Sequence, residues 1–306
     1  MKKNYNAVSI AVTAANVEML RNSVNYNGRM VINPKVTDKV MKCLTMSIEE
    51  IANAGKSGMI EKDGIIRNIY NVFISNGYGG KMTDIVGISG FAGNNEKCIQ
   101  RAQKGIGVCP YCFSFRNAYF SCLPAWTKND TIFSTVKFVP GDLIMDPEKI
   151  KECRFSTHGD LNNALHAYNY MVIAYSNPKI QYTLWTKNNE YYQQAREMFR
   201  AEFGIDRPSN FRVIFSGNRL DVIPGKKGLA ALKANGYDAY FVVYSKRAIQ
   251  ERAVTEFFGH FCKCGKNSCK KECHFCYDYF TTDNWISFSN TAVLIAEILD
   301  GERHKE

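Results

Sequence analysis

The sequence has no apolar run that approaches the roughly 20 residues needed to cross a bilayer. It also lacks the spread of paired cysteines that is typical of a secreted disulfide scaffold, because its 11 cysteines are odd in number and tightly clustered. In a chain of 306 residues, long enough to bury its own core, this usage favours metal ligation in a reducing cytoplasm. No Gly-rich phosphate-binding fingerprint follows any predicted strand, which argues against a doubly wound nucleotide-binding sheet.

The positive charge is concentrated in one segment. The chain has a net charge of +10, and residues 226–271 contain ten lysines and arginines against three acidic residues, a local net charge of +7. Such a segment attracts a polyanion or a phosphorylated substrate. The alternative is a solvated lysine-rich face that balances the charge of an anionic cluster.

Strand-like and helix-like segments alternate from residue 82 onward. Strands are predicted in "MTDIVGISG", "CRFSTHGD", "KIQYTLWTK", "NFRVIFSGN" and "DAYFVVYSK". Helices are predicted in "LNNALHAYNYMVIAYSN", "NEYYQQAREMFRAEFG", "GKKGLAALKANG" and "RAIQERAVTEFFG". Four successive strand–helix units predict an α/β fold with a parallel sheet and right-handed crossovers, and they favour an open or closed (β/α) barrel.

The rest of the chain completes the predicted organisation. "TDKVMKCLTMSIEEIANAG" and "EKDGIIRNIYNVFISNG" have helical spacing and end in glycine, so residues 1–80 are predicted to be mostly helical. Residues 81–260 form the predicted partial (β/α) barrel. Residues 261–306 form a Cys-rich metal-binding segment followed by a C-terminal helix.

Polar residues collect where the predicted strands end, which is where the active site of such a fold lies. His158 is the candidate general base or substrate ligand, held by Asp160, and these two are the catalytic candidates. The candidates for binding a substrate carboxylate or phosphate are Lys187, Ser216, Asn218 and Arg219. The alternative is a structural histidine at a strand end and ordinary solvated side chains.

Nine of the cysteines form two groups, and Cys43 and Cys153 stand apart as predicted buried, inert thiols. The first group is Cys98, Cys109, Cys112 and Cys122, and the second is Cys262, Cys264, Cys269, Cys273 and Cys276. Zinc needs four tetrahedral ligands, and each group contains one Cys-x2-Cys pair that supplies two. The run Cys269-x3-Cys273-x2-Cys276 lies among aromatic residues and lysines, and this spacing favours an iron–sulfur cluster over zinc.

The segments "ECRFSTHGDLNN", "NPKIQYTLWTKN" and "NFRVIFSGNRLD", with "CPYCFSF" before them and a Cys-rich tail after them, resemble the phage-borne family called gene product 88. The resemblance covers roughly residues 80–280. That family is in turn similar to the radical S-adenosylmethionine barrel enzymes, which carry cysteines after the first strand and a second cysteine cluster after the barrel. In this chain ten residues separate Cys98 from Cys109, where the radical enzymes have Cys-x3-Cys-x2-Cys.

The resemblance implies a radical-SAM-like partial barrel encoded by a phage and located in the host cytoplasm. It implies that Cys98, Cys109 and Cys112 hold one [4Fe-4S] cluster. The second cluster would take its ligands from the C-terminal group Cys262, Cys264, Cys269, Cys273 and Cys276. S-adenosylmethionine is then a candidate co-substrate, and an electron-donor protein is a candidate partner.

Two further hypotheses compete with this redox or radical enzyme. One is a zinc-braced basic module that binds nucleic acid or a protein, which explains the basic segment and its neighbouring aromatic residues. The other is an iron–sulfur protein that senses redox state without turnover. The sequence leans towards the enzyme because polar residues gather at four strand ends.

Overall fold

The computed structural model describes residues 63–75, 85–104, 106–109, 112, 114, 123–219, 222, 224–244, 259–261 and 293–298. In chain order its strands are β1 (Ile65–Asn68), β2 (Val86–Ile88), β3 (Leu143–Met145), β4 (Glu152–Phe155), β5 (Gln181–Thr186), β6 (Phe211–Ser216), β7 (Ala239–Tyr244), β8 (Gly259–Phe261) and β9 (Val293–Ile298). Its α-helices are α1 (Glu96–Gln103), α2 (Leu123–Thr135), α3 (Ala164–Ser176), α4 (Asn189–Phe203) and α5 (Lys226–Ala234), and a 3-10 turn covers Ala92–Asn94.

The main sheet has seven strands in the order β2-β4-β5-β6-β7-β9-β8, and every neighbouring pair is parallel. The first five strands lie in the order in which they occur along the chain, and α3, α4 and α5 connect β4 to β7. The predicted α/β class and parallel sheet are therefore confirmed. The described strands form an open sheet with β2 and β8 at its edges.

Alternating residues on each strand face opposite sides of the sheet. Cys153, Phe155, Tyr182, Leu184 and Val213 belong to the core under α3 and α4, where Phe155 stacks on Tyr170 with ring centroids 4.0 Å apart. We call this side the helix face. The intervening residues lie on the other side, the far face, which carries Glu152, Arg154, Gln181, Thr183, Trp185, Arg212, Ile214 and Ser216.

Local sequence signals set the limits of the connecting helices. Asn163 begins α3 by accepting a hydrogen bond from the backbone nitrogen of His166, as an N-cap residue does. The residues of α3 from His166 to Ala174 are buried because the helix packs between α2 and α4. Gly204 ends α4 in the left-handed conformation with φ 72°, which glycine adopts without steric cost.

The helix predicted over "EKDGIIRNIYNVFISNG" is wrong for the described residues 63–75. Ile65–Asn68 form β1, which pairs antiparallel with β3 in a small second sheet. The Asn68 amide then exchanges two hydrogen bonds of 2.8 Å with the backbone of Val72 and closes a turn. β-branched isoleucines and this asparagine turn override the apparent helical spacing.

Other predictions fall outside the described residues. These are the earlier N-terminal helix at 37–55 and the helix over "RAIQERAVTEFFG" up to residue 258, and the division into three domains stays a prediction. The predicted C-terminal helix is wrong for the described residues 293–298, which form β9 because this apolar run pairs with β7 in the sheet. Two described helices, α1 and α2, were not predicted at all. In the described part of the chain, no helix has the length and apolarity required to cross a membrane.

Candidate functional site at the carboxyl ends of the strands

Asp160 joins the ends of β4 and β5. Its Oδ1 accepts hydrogen bonds from the Thr186 hydroxyl (2.6 Å) and the Leu161 nitrogen (2.8 Å), and its Oδ2 accepts from the Lys187 nitrogen (3.1 Å). The Arg101 guanidinium lies 3.7 Å from Oδ2, and Asp160 is only 5% exposed. The carboxylate thus fixes the two strand ends that carry the predicted site residues.

Helix α1 is attached to this junction through asparagines. The Asn95 side chain caps α1 by accepting from the Cys98 nitrogen (3.0 Å), and its amide group donates to the Leu161 carbonyl (2.8 Å). Asn188, just after β5, donates to the same carbonyl (2.8 Å) and accepts from Arg101 (2.9 Å). Cys98 therefore lies in the first turn of a helix that is bonded to the carboxyl ends of β4 and β5.

Cys109 reaches the same edge of the sheet by a different route. The Val108 nitrogen donates to the Asn218 carbonyl just beyond β6 (3.1 Å), and a Cβ on Gly107 would lie 1.5 Å from that oxygen. Gly107 has φ 54°, so both its conformation and the close approach require glycine. The Cys112 nitrogen then donates to the Cys109 carbonyl (3.1 Å), which makes the Cys-x2-Cys pair a tight turn.

Burial is the largest influence on the thiol pKa values of Cys98 and Cys109. Burial raises the pKa of Cys98 well above its ordinary value, and the charges of Asp160, Cys112 and Cys109 raise it further. Burial also raises the pKa of Cys109, while the positive charge of Lys187 opposes that shift. All three are free thiols. In the described part of the chain, no three Cys, His, Asp or Glu side chains are arranged closely enough to hold a metal ion.

Lys187 and Ser216 meet on the far face. The Lys187 ammonium donates to the Ser216 hydroxyl at 2.7 Å, and Ser216 is 7% exposed at the end of β6. Asn218 contributes its backbone carbonyl to the Cys109 loop, as described above, and Arg219 is exposed to solvent. The structure thus brings together two of the four predicted substrate-binding residues and places the other two in the adjoining loop.

His158 lies against α2. Its ring stacks on Trp126 with centroids 4.0 Å apart, and its carbonyl accepts from the Gly90 nitrogen (3.0 Å) at the end of β2. Burial lowers the pKa of His158 to about 3, and the charge of Arg154 adds to the shift. The imidazole is therefore neutral near pH 7, but a pKa this far below 7 makes it a weak base, whereas a general base works best with a pKa near the operating pH. The hydrogen bonds of Asp160 described above tie β4 to β5, a role that differs from the predicted one of holding His158.

The remaining predicted metal ligands are not among the described residues. Cys262, Cys264, Cys269, Cys273 and Cys276 lie outside the described residues, as do Cys43, Cys122 and most of the basic segment. Cys153 is fully buried on the helix face, and burial raises its thiol pKa, so its predicted inertness is consistent with its position.

Sequence reasoning missed the residues that support this site, chiefly Asn95, Arg101, Trp126 and Asn188. Two signals were available for α1: Asn95 precedes Cys98 by the three residues of an N-cap, and Arg101 follows it by one helical turn. Nothing local points to Trp126, because α2 is buried on all sides from Ala125 to Phe133 and has no polar face to reveal its period.

Comparison of the chain with protein-family models, with curated proteins and with solved structures finds no match. The site therefore rests on its own geometry.

Proposed function

We propose that this chain is an iron–sulfur protein, and an enzyme, whose Cys98, Cys109 and Cys112 bind a [4Fe-4S] cluster at the carboxyl end of the parallel sheet. The observation that carries the proposal is that α1 and the loop after it bring Cys98, Cys109 and Cys112 to one edge of the sheet. Cys98 lies in the first turn of a helix bonded to the strand ends through Asn95, and the Cys109 loop is hydrogen-bonded to Asn218 just beyond β6.

The surroundings of the thiols fit this donor set. Thiolates are the usual ligands of cluster iron, and a thiolate-bound cluster is anionic. Arg101 and Lys187 supply positive charge, since both lower the pKa of Cys109 against the effect of burial. Binding would replace the thiol protons and draw the three sulfurs together, as is expected where metal binding is coupled to local folding.

A bound cluster supplies single-electron transfer. The protein's own residues then have separate tasks. Asn95 and Asn188 hold α1, and therefore Cys98, at the strand ends. Asp160 keeps β4 and β5 in place, and His158, the predicted base, lies at the same edge.

The proposals for the barrel type, the second cluster and the partners rest on the sequence together with the strand order. β2, β4, β5, β6 and β7 lie in the sequential order of a (β/α) barrel, whereas beyond β7 the order departs from it because β9 comes before β8. The first five strands support a partial barrel of the radical-SAM type with S-adenosylmethionine as candidate co-substrate. Cys262, Cys264, Cys269, Cys273 and Cys276 are proposed to bind an auxiliary cluster. An electron-donor protein is the proposed partner, and the basic segment 226–271 is a proposed site for a phosphorylated or polyanionic ligand.

The test is the iron, zinc and acid-labile sulfide content of the full-length chain purified without oxygen, with its visible spectrum. Wild-type protein should contain about eight irons if both groups bind four-iron clusters. Cys98→Ala, Cys109→Ala and Cys112→Ala should each lower the iron content by about four. Cys153→Ala is the matched control, because that thiol lies alone under the helices, and it should keep all its iron.

Three results would contradict the proposal. Zinc without iron in the wild type would favour the zinc-braced binding module, whose affinity for nucleic acid should fall steeply with salt. Full iron in all three N-terminal variants would remove the cluster from this site. Iron lost equally from Cys153→Ala would show that the losses reflect misfolding.

A further inference from the structure

An unpaired donor lies on the far face of the sheet. The indole nitrogen of Trp185 is buried and has no hydrogen-bond acceptor in the part of the chain that the structure describes. Buried N–H groups normally find a partner, so an unsatisfied one calls for an explanation, such as a bound water, ion or ligand. Its ring contacts Phe241 on one side, with centroids 4.6 Å apart.

The far face around this donor carries two arginines and one glutamate, Glu152, on β4 and β6. The Arg154 guanidinium carbon lies 4.3 Å from the centre of the Trp185 ring, and Lys187 follows two residues later on the same face. Arg212 occupies the same face of the adjacent strand, beside Thr183. The charge of Arg154 also lowers the pKa of His158, so its potential reaches the strand ends.

In the described part of the chain, no carboxylate forms an ion pair with the Lys187 ammonium. The ammonium of Lys187 donates to the neutral hydroxyl of Ser216, although ammonium groups bind anionic oxygens more strongly. The three described carboxylates closest in sequence or register are engaged elsewhere: Asp160 holds the strand ends, Glu190 pairs with Lys97, and Asp238 pairs with Arg207. An anion entering here would supply the acceptors that these donors can use.

We propose that the far face binds an oxyanion, a carboxylate or phosphate carried by a small molecule, between Arg154 and Lys187, with the Trp185 indole as a hydrogen-bond donor. Arg154, Trp185 and Lys187 are all partly exposed side chains, and the indole nitrogen itself is buried. The ligand class is independent of the metal: the oxyanion would be the recognised group of a substrate if the chain is an enzyme, and would bind equally without a cluster.

The test uses inorganic phosphate and succinate as probes, titrated into the full-length chain at constant ionic strength with chloride as the reference salt. Binding is followed by calorimetry and by tryptophan fluorescence. Trp185→Phe keeps an aromatic ring for Arg154 to stack on but removes the N–H donor, and Lys187→Gln removes the charge. The matched control is Lys227→Gln, because Lys227 is an exposed lysine on α5.

We expect saturable binding of at least one probe, weakened about tenfold by Trp185→Phe and by Lys187→Gln and unchanged in Lys227→Gln. Stronger binding of phosphate identifies a phosphorylated ligand, and stronger binding of succinate a carboxylate. The proposal is overturned if neither probe binds beyond the chloride reference. It is also overturned if Trp185→Phe binds as tightly as wild type, or if Lys227→Gln loses as much affinity as Lys187→Gln. Because the titration measures anion affinity and not metal content, its outcome is separate from that of the iron analysis.

Discussion

Replacing Asp160 by asparagine separates a structural role from a catalytic one. Asparagine has the same shape as aspartate but offers one acceptor oxygen and one NH2 group. With its oxygen in the place of Oδ1, the NH2 group faces the Lys187 nitrogen and the Arg101 guanidinium, which are both donors. The flipped amide instead points its NH2 group at the Thr186 hydroxyl and the Leu161 nitrogen. Either placement sets donor against donor.

The cost follows from these contacts. One charge-assisted hydrogen bond is lost, worth about 1.5–3 kcal/mol, and a buried N–H is left unpaired at about 1–3 kcal/mol. We therefore expect Asp160→Asn to lower the free energy of unfolding by about 3–5 kcal/mol, a large part of the total for a typical domain. Thr186→Val removes only the hydroxyl of this cluster and should lower it by about 1–2 kcal/mol.

The assay is equilibrium urea unfolding followed by circular dichroism and by fluorescence, whose transitions must coincide for the two-state treatment to apply. Asp63→Asn is the control, because Asp63 is exposed and its change should stay within about 0.5 kcal/mol. A loss below about 1 kcal/mol in Asp160→Asn would refute the reasoning. Asp160 would then be dispensable to the fold, as a purely catalytic residue is.

Two further predictions concern the same edge of the sheet. Asn95→Ala removes both the cap of α1 and the amide donor, so it should lower the free energy of unfolding by about 2–3 kcal/mol and cause partial loss of iron. Asn95→Asp keeps the cap and should lose less stability and less iron, as measured by urea unfolding and iron content. Equal losses in the two variants would show that the cap contributes nothing. Burial lowers the pKa of His158 and of His166 to about 3, so the unfolded chain takes up protons below about pH 6.5 that the folded chain does not, and stability should fall as pH falls from 6.5 towards 3, by up to about 1.4 kcal/mol per pH unit for each histidine. Imidazole NMR signals of these two residues that titrate between pH 5 and 8 would contradict it.

The regular α/β part of the fold could be predicted because its signals are local and strong. β5 and β6 are short apolar runs between turn residues, and α4 has a clear apolar stripe and a glycine at its end. β1 was mistaken for a helix because four residues with two isoleucines fit both periods, and the antiparallel partner that decides between them lies 75 residues later. Tertiary pairing of this kind leaves no trace in a single segment.

The site could be predicted only in part for a similar reason. Strand ends are visible in the sequence, so His158, Lys187 and Ser216 could be placed at one edge of the sheet. The partners of each residue could not, because they come from distant segments: Trp126 packs on His158, and Arg101 joins Asp160 from a helix 59 residues earlier. The assignment of Asp160 to His158 failed because a neighbour in sequence was preferred to a neighbouring strand.

Lys187 belongs to both proposed sites, and variants at Lys187, Trp185 and Cys98 can therefore distinguish the two sites. Its backbone nitrogen is bound to Asp160, its ammonium to Ser216 on the far face, and its charge lowers the pKa of Cys109. A change at Lys187 should therefore alter both oxyanion binding and the retention of the cluster. Trp185→Phe should alter only the first, and Cys98→Ala only the second. If oxyanion affinity changes in Cys98→Ala, the two sites share more than this lysine, and the ligand must contact the cluster itself.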